Sequence, residues 1–189
     1  MYKALIVFLT AAAATFKDAK NPLSLSIDEL SKSLNVNTTS AYAAVQQAVR
    51  GFEQLPDSSS RTFIYTGNIL NITVMPALLD LGVGKSATSH IIQAAATVYS
   101  DRGFKYVFPY PSAEVGCTIC VTFRAHLVFV FQLTDSRFYY ADERNADGTP
   151  PYSKIDGEAH GQFYAELAES KVQGEWQQTF AKGVGYKKF

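Results

Sequence analysis

The chain has 189 residues, enough for one domain with a buried core, and 47% of them are hydrophobic. Lys plus Arg and Asp plus Glu both number 17, and this zero net charge argues against nucleic acid or an anionic membrane as partner. No apolar run is long enough to span a bilayer. Because a single C-x-x-C is too little for a secreted disulfide framework, we expect a cytoplasmic location.

The first part of the chain predicts a strand followed by two helices. Residues 4–8 form a short apolar run, which we interpret as a buried strand rather than as part of a signal peptide. Ser26 and Glu29 have the spacing of a capping box, which predicts a helix to about Leu34. Residues 35–37 interrupt the helical pattern, and apolar residues at helical spacing then predict a second, longer helix.

The rest of the chain continues the alternation of strands and helices. Residues 61–65 are rich in aromatic and β-branched residues and predict a buried strand. Pro76 can open a long helix. Its predicted apolar face consists of Leu78, Leu79, Ile91, Ile92, Ala95 and Val98. Residues 138–141 predict a third strand, residues 156–169 predict an amphipathic helix, and the tail from 176 to 189 is short and mixed.

This element order predicts an α/β fold with an open, doubly wound parallel sheet of the Rossmann type. Ligands of such sheets bind at the carboxyl ends of the strands. Three segments are therefore expected near any site: residues 10–15, 66–71 and 142–149. His90 and His160 lie on predicted helices, and we expect each to be a solvated or helix-capping histidine.

Two segments combine an asparagine with the end of a helix or strand. Asn37 lies in the run Asn-Val-Asn-Thr-Thr-Ser-Ala-Tyr, and Asn68 ends the run Phe-Ile-Tyr-Thr-Gly-Asn. These runs resemble two parts of the short-chain dehydrogenase/reductase family, in particular of its divergent fungal members. The first resembles the helix with the catalytic Asn, which Asn37 matches. The second resembles the strand that ends in the catalytic Ser, a position that Asn68 takes here.

A third motif, Leu81-Gly-Val-Gly-Lys85, lies where the family has Tyr-x-x-x-Lys. Leu81 follows Asn68 by 13 positions, which is the family's usual spacing between Ser and Tyr. The resemblance implies that Lys85 binds the nicotinamide ribose and would lower the pKa of the family's Tyr. Leucine cannot transfer a proton, whereas Asn68 can still donate a hydrogen bond to a carbonyl oxygen.

The resemblance implies NAD or NADP as cofactor and a small carbonyl or alcohol as substrate. No glycine-rich turn of the form G-x-G-x-x-G or G-x-x-x-G-x-G follows a strand in this sequence, so we expect little cofactor binding by this chain. Residues 1–189 are predicted to form a single partial domain, the back part of the family fold, truncated at its N-terminus.

Three functions from different classes follow from these features. The first is a degenerate or truncated short-chain dehydrogenase/reductase-like protein that is inactive as written. The second is a non-catalytic subunit of a homo-oligomer, which would use the two long helices that form the oligomer interface in this family. The third is a chain that does not fold. Retention of a nucleotide by the purified chain would support the first function. A stable dimer without nucleotide would support the second, and insolubility would support the third.

Residues 106–136 match nothing in the family, and we interpret them as an anomalous insertion. The segment contains Cys117, Cys120 and His126, which are too few ligands for a zinc ion, so no metal site is predicted.

The codons at the two ends of this insertion can supply splice signals, and removing the bases between them keeps the reading frame. We predict a translated intron, against the alternative of a genuine insertion such as a substrate lid. Sequencing the spliced transcript should show these bases absent, and a major transcript that retains them would contradict the prediction.

Overall fold

The computed structural model describes residues 4–56, 58–100 and 136–189, so the predicted insertion lies outside the described residues except for Ser136. The strands and helices are β1 (Ala4–Leu9), α1 (Ile27–Leu34), α2 (Ser40–Glu53), β2 (Ser60–Thr66), α3 (Leu79–Tyr99), β3 (Ser136–Arg144), α4 (Gly157–Glu169), β4 (Gln177–Ala181) and β5 (Gly185–Tyr186). None of the described helices is long and apolar enough to cross a membrane.

The five strands of the described residues form one sheet in the order β1-β2-β3-β4-β5. β1 to β4 are parallel, and β5 returns antiparallel to β4. One core cluster joins α2 and α3 to one face of the sheet, and a second joins α4 to the other face. Helices on both faces of a parallel sheet confirm the predicted doubly wound α/β class.

The two central strands form the core with aromatic side chains. Phe63 of β2 stacks on Phe138 of β3 with ring centroids 6.2 Å apart, and Tyr65 lies 5.6 Å from Tyr140. All four side chains are fully buried, as expected for strands that are covered on both faces. The two tyrosines bring hydroxyl groups to the carboxyl ends of the strands, where ligands of such sheets bind.

The predicted capping box is confirmed, and the α-helical pattern is interrupted after Leu34 as predicted, by a π-helical turn. Ser26 Oγ accepts from the Glu29 backbone N–H, and the Glu29 carboxylate accepts from the Ser26 backbone N–H at 2.9 Å. After α1 the chain continues through a π-helical turn, Asn35–Thr39, directly into α2. The wider turn turns Asn37 into the interior while the backbone stays hydrogen-bonded through the interruption.

The predicted apolar face of the long helix is partly wrong. Ile92 and Ala95 are buried, but 59% of Val98 is exposed. The buried side of α3 also includes Gly84, Lys85 and Thr88. These three residues are buried through close packing and hydrogen bonds. They are not large apolar residues, so a search for hydrophobic spacing does not find them.

The carboxyl-terminal part of the sheet is larger than predicted. β3 extends to Arg144, so residues 142–144 belong to a strand and not to the loop after it. Its charges are buried because they pair with each other: Arg144 Nε donates to Asp142 Oδ2 at 2.6 Å. The mixed tail forms β4 and β5, and the β4 sequence Gln-Gln-Thr-Phe-Ala has too few apolar residues to reveal a strand.

Candidate active site

Asn37 holds the loop that follows β1. Its Nδ2 donates to the carbonyl oxygens of Ala13 at 2.7 Å and Ser33 at 3.1 Å, and its Oδ1 accepts from the Ala13 backbone N–H at 3.2 Å. The side chain is fully buried. Both ends of the amide are thus occupied, so Asn37 positions backbone and leaves little capacity for a ligand.

Lys85 holds the same loop from α3. Its Nζ donates to the carbonyl oxygen of Ala11 at 2.7 Å and to the hydroxyl of Tyr65 at 2.8 Å, and only 2% of the residue is exposed. Burial lowers the pKa of Lys85 to about 8, and the negative charge of Asp142 opposes this shift. The Lys85 ammonium therefore loses its proton more readily than that of an exposed lysine.

Close packing brings Asn37 and Lys85 together. Gly84, the neighbour of Lys85, faces Asn37 so closely that a Cβ atom at position 84 would lie 2.4 Å from the Asn37 Cβ. Thr88 one turn later donates to the Asn37 backbone carbonyl. The two sequence-predicted residues therefore meet through the loop after β1 and through the contact between α3 and the π-helical turn.

Asn68 and Leu81 lie apart from this pair, in the wall of a cleft of about 220 Å³ at the carboxyl edge of the sheet. The cleft is lined mainly by residues 66–70, Asp142 and Glu143, residues 150–152, and Ile155, so two of the three expected segments contribute. Asn68 Oδ1 accepts from the Leu70 backbone N–H at 3.0 Å. No described residue accepts a hydrogen bond from its Nδ2, which leaves that group for a ligand.

Leu81 puts a hydrocarbon side chain in the cleft wall. Only 9% of the residue is exposed. The neighbouring Asp80 is tied to the chain itself, since its carboxylate accepts from the Thr15 backbone N–H at 2.9 Å. At this position the protein therefore offers shape and apolar surface but no group that transfers a proton.

Besides Asn68, the cleft is lined by Asp142 and Glu143, which belong to the expected segment 142–149, and by His160, which was not predicted to lie there. Burial raises the pKa of Asp142, and its hydrogen bond with Arg144 opposes that shift. His160 Nδ1 lies 3.3 Å from Glu143 Oε2, and the histidine side chain is 15% exposed. His160 is therefore not a solvated side chain, and its Nδ1 lies 2.8 Å from the carbonyl oxygen of Asp156, the N-cap residue of α4. No sequence signal relates β3 to the first turn of α4, because their contact depends on the fold.

The described residues contain no cluster of His, Cys, Asp and Glu that could hold a metal ion. Cys117, Cys120 and His126 lie outside the described residues.

A curated relative decides the family. No family model matches the sequence. Over 179 residues, 95% of the chain, the sequence is 38% identical to the short chain dehydrogenase/reductase dmxR12 of Cryptosporiopsis sp. (strain 8999). The chain belongs to the short-chain dehydrogenase/reductase family. It spans 60% of the length of this relative, and the family assignment made from the three motifs is confirmed.

Solved structures agree with this fold. A short chain dehydrogenase from Bacillus anthracis matches 97% of the chain with a TM-score of 0.59 at 11% identity, and the chain covers 66% of it. An alcohol dehydrogenase from the archaeon Thermococcus sibiricus, complexed with 5-hydroxy-NADP, matches 97% with a TM-score of 0.55 at 11% identity, and the chain covers 65% of it. At this identity the likeness establishes the fold.

Proposed function

We propose that this chain provides the substrate-binding part of a short-chain dehydrogenase/reductase and does not itself carry out the family's proton transfer. Leu81 in the cleft wall carries this proposal. General acid catalysis contributes on the order of 10²- to 10⁴-fold, and a leucine at the position of the catalytic Tyr contributes none of it. The chain is therefore a degenerate member of an NAD(P)-dependent oxidoreductase family.

Small carbonyl or alcohol compounds are the ligands that the cleft supports. Asn68 has its Oδ1 occupied by the Leu70 N–H, so its Nδ2 is oriented as a donor for a carbonyl oxygen. Around it the cleft is apolar, with Met75, Leu78 and Leu81 in its wall. Such a cleft favours an apolar molecule that carries one oxygen.

NAD or NADP is the cofactor that the family implies, but the described residues do not form a dinucleotide site by themselves. Lys85 would hold the nicotinamide ribose, yet it already uses two of its three donors on Ala11 and Tyr65. Asn37 has its amide occupied by Ala13 and Ser33. Of these two residues only the third N–H of Lys85 remains as a donor, which is too little for a pyrophosphate and two riboses.

We therefore expect this chain to bind neither NADH nor NADPH with a dissociation constant in the low micromolar range, as measured by calorimetry.

The double variant Leu81→Tyr with Asn68→Ser should also show no cofactor-dependent reduction of a panel of ketones. A tyrosine would restore the proton donor without supplying the contacts that hold the cofactor. Tight cofactor binding by the wild type, or turnover by the double variant, would contradict the proposal.

A second candidate function is that of a non-catalytic oligomeric subunit. Exposed apolar side chains on α2 and α3 favour it, since Tyr42, Val83 and Val98 are 55%, 42% and 59% exposed. Sedimentation analysis separates the two functions, because a stable homodimer without nucleotide is expected only for the second.

A further inference from the structure

His160 lines the cleft, and a single nitrogen of its ring is left for a ligand. Its Nδ1 lies 2.8 Å from the Asp156 carbonyl oxygen, which can only accept, so Nδ1 carries the hydrogen. The carboxylate of Glu143 lies on the same side of the ring. In the neutral imidazole Nε2 is then an acceptor, and no described residue donates a hydrogen bond to it.

The ring is also held from the sides, so its orientation is set before a ligand arrives. It lies edge-on to Phe180 with ring centroids 5.0 Å apart, and edge-on to Tyr164 at 5.5 Å. Glu143 is anchored in turn, because its Oε2 accepts from the Asp156 backbone N–H at 2.9 Å. A preorganised acceptor loses little conformational entropy when it binds a hydroxyl group.

Most of the other residues that line the cleft are apolar. They include Ile69, Leu70, Pro150, Pro151 and Tyr152. The volume of about 220 Å³ is below the range of roughly 300 to 1,000 Å³ typical of sites for drug-sized ligands. The space therefore suits an apolar ligand of one or two rings, with a few polar groups in its wall, among them Asn68 and His160.

We propose that the cleft binds a ring-bearing alcohol or phenol whose hydroxyl donates a hydrogen bond to Nε2 of His160. This rests on the proposed function, since it assigns a ligand class to the same cleft. It needs no cofactor, so it can be tested separately from dinucleotide binding. The hydroxyl is recognised because an analogue without a donor leaves the buried acceptor unsatisfied.

The test compares 4-ethylphenol with 4-ethyltoluene, in which a methyl group of similar size replaces the hydroxyl. NMR titration gives both dissociation constants for the wild type, for His160→Phe and for the matched control His90→Phe on the exposed side of α3. We expect the preference for the phenol relative to the toluene analogue to fall roughly fivefold or more in His160→Phe, because one hydrogen bond is lost. The control should keep the wild-type ratio.

A second measurement guards against misfolding of the histidine variant. In the wild type, the ¹⁵N resonance of Nε2 in His160 should shift on addition of 4-ethylphenol and stay in place with 4-ethyltoluene. The proposal would be overturned by an unchanged ratio of the two dissociation constants in His160→Phe. It would also be overturned if the Nε2 resonance did not shift with 4-ethylphenol, or if neither probe bound. The cofactor titrations decide the proposed function independently of these outcomes.

Discussion

Gly84→Ala is expected to destabilise the protein by about 3 kcal/mol, whereas Gly82→Ala, two residues earlier, is expected to stabilise it by up to about 1 kcal/mol. Both glycines lie inside α3, where alanine has the better helix propensity. They differ in what a new Cβ atom would meet. At position 84 it would lie 2.4 Å from the Asn37 Cβ, whereas at position 82 the nearest atom is 3.8 Å away.

The clash at position 84 cannot be relieved cheaply. Asn37 is tied by its amide to Ala13 and Ser33, so moving it breaks hydrogen bonds that hold the loop after β1. Urea unfolding of both variants and the wild type measures the difference in the free energy of unfolding. Equal effects of the two substitutions would show that the close contact does not constrain the fold.

Lys85→Met is expected to raise the free energy of unfolding at pH 7 by up to roughly 3 kcal/mol. Burial lowers the pKa of Lys85 from 10.5 to about 8, so charging this side chain at neutral pH costs the folded state that much. Methionine fills a similar volume without a charge. Its introduction leaves no hydroxyl without a partner, because Tyr65 still donates to the Ala11 carbonyl oxygen at 3.1 Å.

The stability advantage of Lys85→Met over the wild type depends on pH. Between pH 8 and pH 10.5 the folded state has lost the Lys85 proton while the unfolded state keeps it, so wild-type stability rises with pH in this window. From pH 7 to pH 9.5 the advantage of Lys85→Met over the wild type should shrink by about 2 kcal/mol. Urea unfolding at the two pH values measures this change.

The matched control is Lys32→Met, since Lys32 has 75% of its side chain exposed. Its effect should be small and the same at both pH values. A Lys85→Met variant that is less stable than the wild type at pH 7 would mean that the two hydrogen bonds of the ammonium outweigh its burial cost.

Much of the fold could be predicted because its signals are local. A capping box needs only Ser26 and Glu29 three positions apart, and buried strands such as residues 61–65 are apolar whatever packs on them. The alternation of such strands with helices then limits the choice to a parallel sheet with helices on both faces. The sequence alone therefore determined the fold class and the family.

Only the tertiary structure decided what the side chains near the carboxyl edge of the sheet can do. Asn37 lies on what looked like a helix break, but a π-helical turn buries it against Gly84, more than 40 residues away in the chain. His160 gains its place in the cleft from Glu143 of β3, and no spacing rule connects the two. A side chain's partners across the fold set its burial, its pKa and its free hydrogen-bonding groups, and those partners are chosen by packing and not by local sequence.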